Sequence, residues 1–429
     1  MLTGRTAALL ALSTVTLPLW PSPWWGVVVL TAAVLALAAV DTALAAPLRA
    51  VRLSRDGARA VRLGETATVT LGVHNDSPRV LRAQVRDSWV PSAGAPSRVH
   101  RVLVEPHASA ALETTLTPTR RGDRPAVRVS LRSYGPMGLA FRQRAGRPAT
   151  PAWRLRVLPR FDSRRFLPEK TARLRTLEGA QVTRGRGQGT EFDALREYVI
   201  GDDVRSIDWR ASARRSDVLV RTWRPERDRR VVCVLDTGRT SAVRVGDEPR
   251  LDASIDAALL LAALASRAGD QVDLLAVDTV VRATVSGGRH VLLPRLVNAL
   301  APLQPSLVET DFELVVGEVL RRERKRALVV LFTALEPGAL GEGLLPVLPR
   351  LAARHRVIVA AVHDPLLERM AEPSGDPYLS AAAIRTLGER DRVRSALTRN
   401  GVTVLDAPLD VFPSRLCDAY LTLKQAGRL

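Results

Sequence analysis

Three observations predict a three-part fold: an N-terminal transmembrane helical hairpin, an all-β sandwich and an α/β, doubly wound domain. Residues 1–46 hold two apolar runs split by Pro21-Ser22-Pro23. From Val61 onward, apolar and polar residues alternate at period two, the pattern of half-buried strands. Beyond about residue 228, continuous apolar runs alternate with amphipathic stretches, as in a parallel sheet covered on both faces. A chain of 429 residues is too long for one core, and the boundaries fall at 1–46, 47–160, 161–228 and 229–429. The third of these segments connects the sandwich to the α/β domain.

In the first part, Thr6 to Trp20 is almost wholly apolar, and Trp25 to Ala46 is apolar except for Asp41. At about 1.5 Å of rise per residue, the second run can cross a hydrocarbon core of about 30 Å. The first is marginal and needs flanking residues or local thinning of the bilayer. Trp20, Trp24 and Trp25 cluster at the break, which places that turn at the far headgroups. Arg5 precedes the pair, and Arg49, Arg52, Arg55, Arg59 and Arg62 follow it. The positive-inside bias then puts both ends, and the soluble domains, in the cytosol, giving a multi-pass protein of the cell membrane. A single span and a signal peptide ending near Ala43-Leu44-Ala45 are the rivals. The apolar length and the arginines beyond argue against export.

Composition narrows the partners. The formal charge is +19, and Lys170, Lys325 and Lys424 are the only lysines among 63 basic residues. The arginines are spread along the chain, and no run interleaves them with aromatics, so nucleic-acid binding is not expected. An anionic membrane surface is the simpler partner. Cys233 and Cys417 are too few and too far apart for a disulfide framework or a zinc site, which suits a reducing compartment.

The sandwich strands are read at Ala67–Val73, Leu81–Val85, Val127–Leu131 and Trp153–Val157. His74-Asn75-Asp76-Ser77-Pro78 and Arg121-Gly122-Asp123 supply the turns between them. His74, His100 and His107 sit in turn-like or exposed contexts and read as solvated. In the last domain, Val231–Leu235, Leu328–Phe332, Val357–Val362 and Val402–Leu405 read as buried strands. Leu251–Arg267, Asp311–Arg322 and Ala381–Leu397 read as helices. Ligands of such sheets bind at the carboxyl ends of strands, which directs attention to Asp236 and to Thr333–Glu336. His363-Asp364-Pro365 reads as a turn ending a strand.

The densest stretch is Gly185 to Arg214. Gly187 and Gly189 suit a tight loop, and Phe192, Tyr198 and Trp209 read as buried aromatics. Glu191, Asp202 and Asp208 are expected to pair with Arg196, Arg205 and Arg214 in a structural network. The order Gly-x-Gly, Glu-Phe, Leu-Arg-x-Tyr, Gly-Asp, Arg-x-Ile-Asp-Trp and Ala-Arg resembles the domain of unknown function 58 family. Those are von Willebrand factor A-like proteins often encoded beside MoxR-type AAA+ ATPases. Arg121-Gly122 and Ser133 to Leu139 are similar to further family elements, although Tyr134-Gly135-Pro136-Met137 departs from the usual wording. The resemblance implies an A-like fold and a MoxR-type ATPase partner, with no established reaction.

A-type domains often hold Mg²⁺ through Asp-x-Ser-x-Ser, a threonine on a second loop and an aspartate on a third. Here Asp236 and Thr240 keep their oxygens, Gly238 replaces the first serine, Thr310 resembles the second-loop threonine, and Ala334 stands where the aspartate belongs. The face therefore reads as a degenerate metal site, with Arg239 as its partner-binding candidate. Mg²⁺ at Asp236, Thr240 and Thr310 is the competing reading, with Glu336 or Asp311 compensating. The resulting expectation is a cytosol-facing interaction module docking a MoxR-type ATPase or its client. A membrane-bound hydrolase at the carboxyl edge of the sheet, and a structural membrane protein without an ATPase partner, are the alternatives. The oligomeric state is open.

Overall fold

The computed structural model describes residues 1–96, 99–145, 150–184, 191–199, 202–214, 217–224, 229–372 and 376–427. Two compact units emerge, Met1–Arg160 and Phe161–Leu429.

The N-terminal unit begins with α1 (Gly4–Ser13), a 3₁₀ stretch (Thr14–Leu19) containing Pro18, and α2 (Pro23–Leu44). Pro23 opens α2 at a position where its missing N–H costs nothing. The α2 region is the one described helix long and apolar enough to cross a membrane, whereas Gly4–Leu19 is shorter. Most of its apolar side chains, including Trp24, Trp25, Val27, Val28 and Val29, are exposed.

The strands that follow are β1 (Val51–Gly57), β2 (Ala60–Arg62), β3 (Ala67–Asn75), β4 (Leu81–Trp89), β5 (His100–Val104), β6 (Ser109–Leu116), β7 (Gly122–Tyr134), β8 (Phe141–Ala145) and β9 (Arg154–Leu158). One sheet runs β1-β3-β6 and the other β2-β9-β7-β4-β5, with β8 added along β7. The alternation of the sequence becomes burial here. Val69, Leu71 and Val73 of one sheet share a face that is buried, as do Leu81, Ala83 and Val85 of the other.

Two residues of this unit depart from the sequence reading. Arg55, counted there among basic residues at the membrane, has a side chain only 1% exposed and paired with Asp87. Its guanidinium also lies over the Trp89 ring, 5.1 Å from the centroid. The segment after α2 is a strand, so Arg52 and Arg55, three residues apart, fall on opposite faces and only Arg55 turns inward. Asp41 is fully buried, and it accepts hydrogen bonds from the amides of Met137 (2.8 Å), Leu139 (2.7 Å) and Ala140 (3.1 Å). The end of α2 is thereby fixed to the turn between β7 and β8. Gly135 lies so close that a Cβ there would come 2.2 Å from an Asp41 carboxylate oxygen.

The second unit opens with α3 (Leu167–Arg184) and a hairpin-like pair, β10 (Glu191–Glu197) and β11 (Leu219–Arg224), with the single-turn α4 (Trp209–Ser212) between them. Next come β12 (Arg230–Asp236), the short β13 (Arg244–Val245) and β14 (Glu248–Pro249), α5 (Arg250–Arg267), β15 (Gln271–Val277), β16 (Val281–Val285), α6 (Arg289–Leu300), α7 (Phe312–Arg322) and β17 (Leu328–Phe332). The chain ends with α8 (Leu348–Ala352), β18 (Arg356–His363), α9 (Leu366–Ala371), α10 (Pro377–Arg399), β19 (Thr403–Pro408) and α11 (Phe412–Gln425).

Its main sheet runs β16-β15-β12-β17-β18-β19, parallel except for the antiparallel edge strand β16. β12 and β17 are buried along almost their whole length, as continuous apolar runs require, and α5 buries nearly every apolar side chain it carries. Cys233 and Cys417 are free and buried, and burial pushes the Cys233 thiol up to about 12. Strand order reverses between β12 and β17, which opens a crevice outside their carboxyl ends.

Candidate functional site at the carboxyl ends of the sheet

Asp236 is the last residue of β12, only 2% exposed, and stands in that crevice. Each of its carboxylate oxygens accepts two hydrogen bonds. Oδ1 takes the Gly238 amide (2.8 Å) and the Thr310 hydroxyl. Oδ2 takes the hydroxyls of Thr240 (3.1 Å) and Thr333 (2.7 Å). An ionised carboxylate offers about four acceptor positions, and all are filled by the chain itself.

Three segments converge to make this arrangement. The loop after β12 is tied to the loop before α7 by the Ser306 amide donating to Thr237 O (2.7 Å) and the Arg239 amide donating to Val308 O (2.8 Å). Thr333 comes from the end of β17, where its amide bonds Ala360 O. Gly238 is a steric necessity here. A Cβ at this position would lie 2.2 Å from Thr310 Oγ1 and 2.8 Å from Val308 O, so a serine in its place has no room.

The structure brings Asp236, Thr240 and Thr310 together as the sequence suggested. The two carboxylates considered for completing a cation site, Glu336 and Asp311, are committed elsewhere. Glu336 accepts from Arg250 Nη1 (3.2 Å), and Asp311 caps α7 by accepting from the Leu314 amide (2.9 Å). Ala334 is buried and offers no oxygen from its side chain. Among the described residues no group of three or more His, Cys, Asp or Glu side chains is placed to hold a metal ion. The set present is one carboxylate and three threonine hydroxyls, with no side-chain oxygen at 238 or 334, a poorer donor set than the octahedral shell of Mg²⁺ demands.

Arg239 is ion-paired with Glu309 across the two loops, so its charge is not free. Beside this pair Leu307 is 84% exposed, and Val308 and Val243 are exposed too. Deeper in, Asp278 is fully buried and accepts from Thr237 Oγ1 (3.2 Å), Arg282 Nε (2.7 Å) and the Val280 amide (3.1 Å). Burial pushes its carboxyl up, but the bonds from Arg282, the Val280 amide and Ser306, with the Arg282 charge, hold it below the usual carboxylate range. Neither Leu307 nor Asp278 stood out in the sequence. Thr333 lay in a stretch that did, without its hydroxyl being assigned a role.

The stretch rich in charges and aromatics folds differently from a locked loop. Gly187 and Gly189 lie outside the described residues, and Glu191 and Phe192 begin β10. Arg196 pairs with Asp202 as expected, at 2.5 Å. Asp208 instead receives Arg221 Nε at 2.9 Å and caps α4 through the amides of Arg210 and Ala211. The Arg221 and amide bonds hold its carboxyl below the usual range. Arg205 and Arg214 are exposed and Tyr198 is half-buried. Trp209 is 66% exposed, which corrects the reading of a buried ring: as the first residue of a one-turn helix it has no opposing layer to pack on.

At the far end of the same edge, His363 Nδ1 lies 2.9 Å from Asp406 Oδ1, and Nε2 lies 3.4 Å from Glu368. Arg390 donates to both Asp406 oxygens at 2.8 Å. Burial pushes the Asp406 carboxyl up, yet His363 and Arg390 outweigh it and hold it below the usual range. His363 does end its strand, and Asp364 accepts from the Leu366 amide to start α9. Among the described residues no hydroxyl or thiol hydrogen-bonds this histidine.

The chain thus holds two units: a β-sandwich with an apolar N-terminal helix and, later in sequence, an α/β domain with a hydrogen-bond-saturated acidic centre at its switch point. Residues 194–397 match the model of the family described as protein of unknown function DUF58. Over 216 residues, 46% of this chain, the sequence is 28% identical to uncharacterized protein Mb1516 of Mycobacterium bovis and uncharacterized protein Rv1480 of Mycobacterium tuberculosis. The aligned part spans 66% of the length of those relatives. Among solved structures, the CARDB domain of a Pyrococcus furiosus protein in complex with di-metal ions is 16% identical, with a TM-score of 0.19 over 25% of this chain and 86% of that one. A FixG-related protein from Vibrio parahaemolyticus is 14% identical, with a TM-score of 0.16 over 25% and 96%. Neither bears on the function of this chain.

Proposed function

We propose that the chain is a membrane-anchored docking module. In this reading α1 and α2 insert as a hairpin with both ends in the cytosol, and the α/β unit is a von Willebrand factor A-like domain. The face at its carboxyl ends receives a MoxR-type AAA+ ATPase or that ATPase's client, without a resident cation. Strand order and the Asp236–Thr240–Thr310 constellation support the A-like reading. The single observation that carries the docking function is the pairing of opposites on one edge. Asp236 has every acceptor position filled from within, while Leu307, on the loop that supplies Thr310, stands exposed beside the Arg239–Glu309 pair. Such a face is closed to acid–base chemistry and suited to an apolar contact with a polar rim.

The hydrolase alternative draws on His363 and Asp406, but both ring nitrogens of the histidine already face carboxylates. A purified MoxR-type ATPase from the same source, floated with vesicles carrying the full chain, tests the choice. Co-flotation that persists with chelator and falls at least about tenfold in Leu307→Asp is expected, because central apolar anchors dominate interfaces. Co-flotation unchanged by Leu307→Asp, or ester hydrolysis lost in His363→Ala, would favour the rivals. Reporter fusions at Arg62 and Leu429 should both report the cytosolic side.

A further inference from the structure

The N-terminal unit holds a cleft of about 620 Å³ that plays no part in the face described above. The first turn of α1 forms one wall, with Arg5. The outward face of the larger sandwich sheet forms the other, with Arg82 and Gln84 of β4, Arg101 and Leu103 of β5, and Tyr134 of β7. Register explains the clustering. Arg82 is paired with Leu103 on one side and Tyr134 on the other, and Gln84 is paired with Arg101. Directly paired residues share a face, here the one opposite buried Leu81, Ala83 and Val85.

Three guanidinium groups line the space and no carboxylate does. Arg5 donates one Nη1 bond to Met137 O at 3.2 Å and keeps the rest of its fork. The Tyr134 hydroxyl donates to Gln84 Oε1 at 2.8 Å, which fixes the amide between the arginines. Guanidinium forks match phosphate oxygens in pairs, and exposed Leu103 adds an apolar lip.

The rim formed by Gly135, Pro136 and Gly138 belongs to the turn whose amides Asp41 holds, and the Thr3 hydroxyl donates to Gly138 O at 2.8 Å. Both helix ends therefore meet at the mouth of the cleft. With the helices inserted, the cleft opens at the level of the headgroups. We propose that it binds the phosphate of an anionic phospholipid from the leaflet that holds both helix ends. This proposal rests on the anchoring reading above.

The test uses the detergent-solubilised full chain, titrated with fluorescent phosphatidylglycerol and, as reference, fluorescent phosphatidylcholine. The expected result is tighter binding of phosphatidylglycerol, with the preference cut about fivefold by each of Arg82→Gln and Arg101→Gln and about 25-fold by both. A double variant of equal charge elsewhere on this unit, Arg49→Gln with Arg128→Gln, should keep the preference, and Arg82→Lys with Arg101→Lys, which keeps the charge but loses the fork, should fall between the parent and the glutamine double in the cleft. Equal binding of the two lipids, or a preference lost equally in both glutamine doubles, overturns the cleft as a built site. Inorganic phosphate that displaces no phosphatidylglycerol yet raises the melting temperature only when Arg82 and Arg101 are present overturns the lipid as its source. Flotation with neutral phosphatidylcholine vesicles reads the anchor separately: its absence sinks the anchoring reading, whereas flotation without lipid preference sinks only the cleft.

Discussion

Asp41 and Asp236 are both buried carboxylates at the end of an apolar element, and the two units accommodate them differently. Asp41 is held by three backbone amides, whose direction is fixed by the turn that carries them. Asp236 is held by one amide and three threonine hydroxyls. Hydroxyls rotate and both donate and accept, whereas amides only donate. The first carboxylate is therefore a rivet between a helix and a turn. The second is the centre of a face whose donors can be rearranged one at a time. Asp256 of α5, partly buried, is a third case, with Ser163 donating through its amide and its hydroxyl. Burial pushes the Asp256 carboxyl up to about 6 in spite of those bonds. The neighbouring Asp162 and Glu248 carboxylates push it the same way.

Breaking the rivet should cost most. Asp41→Ala leaves three amides of one turn without their acceptor, and a loss of roughly 3–5 kcal/mol is expected in thermal melts of the full chain in detergent. Gly135→Ala should mimic part of it by displacing the carboxylate. An Asp41→Ala chain that melts like its parent would remove the contrast.

Asp256 sharpens the comparison through pH. Its raised pKa lets the folded state keep a proton that the unfolded chain has lost, so this group's contribution is full below about pH 4 and lost as pH rises through about 6. Asp256→Asn keeps an acceptor for Ser163 and removes the buried charge. The variant should be more stable above pH 6 by up to about 3 kcal/mol, and its stability should be flatter between about pH 4 and 6. Denaturant midpoints at several pH values read both effects.

Smaller changes are expected where donors are redundant or side chains are exposed. Thr333→Val removes one of the four donors to Asp236 and should cost about 1–2 kcal/mol in the same denaturation assay. Trp209→Ala should stay within about 0.5 kcal/mol of the parent, since the ring packs on little. A large loss at Trp209 would show that the ring is covered in the native assembly.

Period and continuity of the apolar pattern made most of this architecture readable beforehand. The runs at Val231, Leu328 and Val357 became β12, β17 and β18, and Ala67 to Val73 became all but the last two residues of β3. Asp236, Thr240 and Thr310 were legible because their spacing follows a known chemistry. What escaped was whatever depends on neighbours distant in sequence. Asp41 finds its amides almost a hundred residues away, Arg55 turns inward to Asp87, and Asp208 chooses Arg221 over Arg214 because the Ile207–Val220 bridge and the bond from its own amide to Leu219 O lay its segment along β11. Trp209 was misjudged because an aromatic among charges looks like a core residue until the length of its helix is known. Leu307 gave no signal: a lone leucine in a loop becomes conspicuous only when nothing covers it.

The most direct test of the central claim is calorimetric titration of the full chain with Mg²⁺ and Mn²⁺, beside Asp236→Ala and the double variant Gly238→Ser with Ala334→Asp. No micromolar binding to the parent is expected, and none to the double variant, because a side chain at 238 collides with Thr310 and Val308 before it can offer an oxygen. Micromolar binding to the parent that disappears in Asp236→Ala would contradict the account and make this face a metal-dependent one.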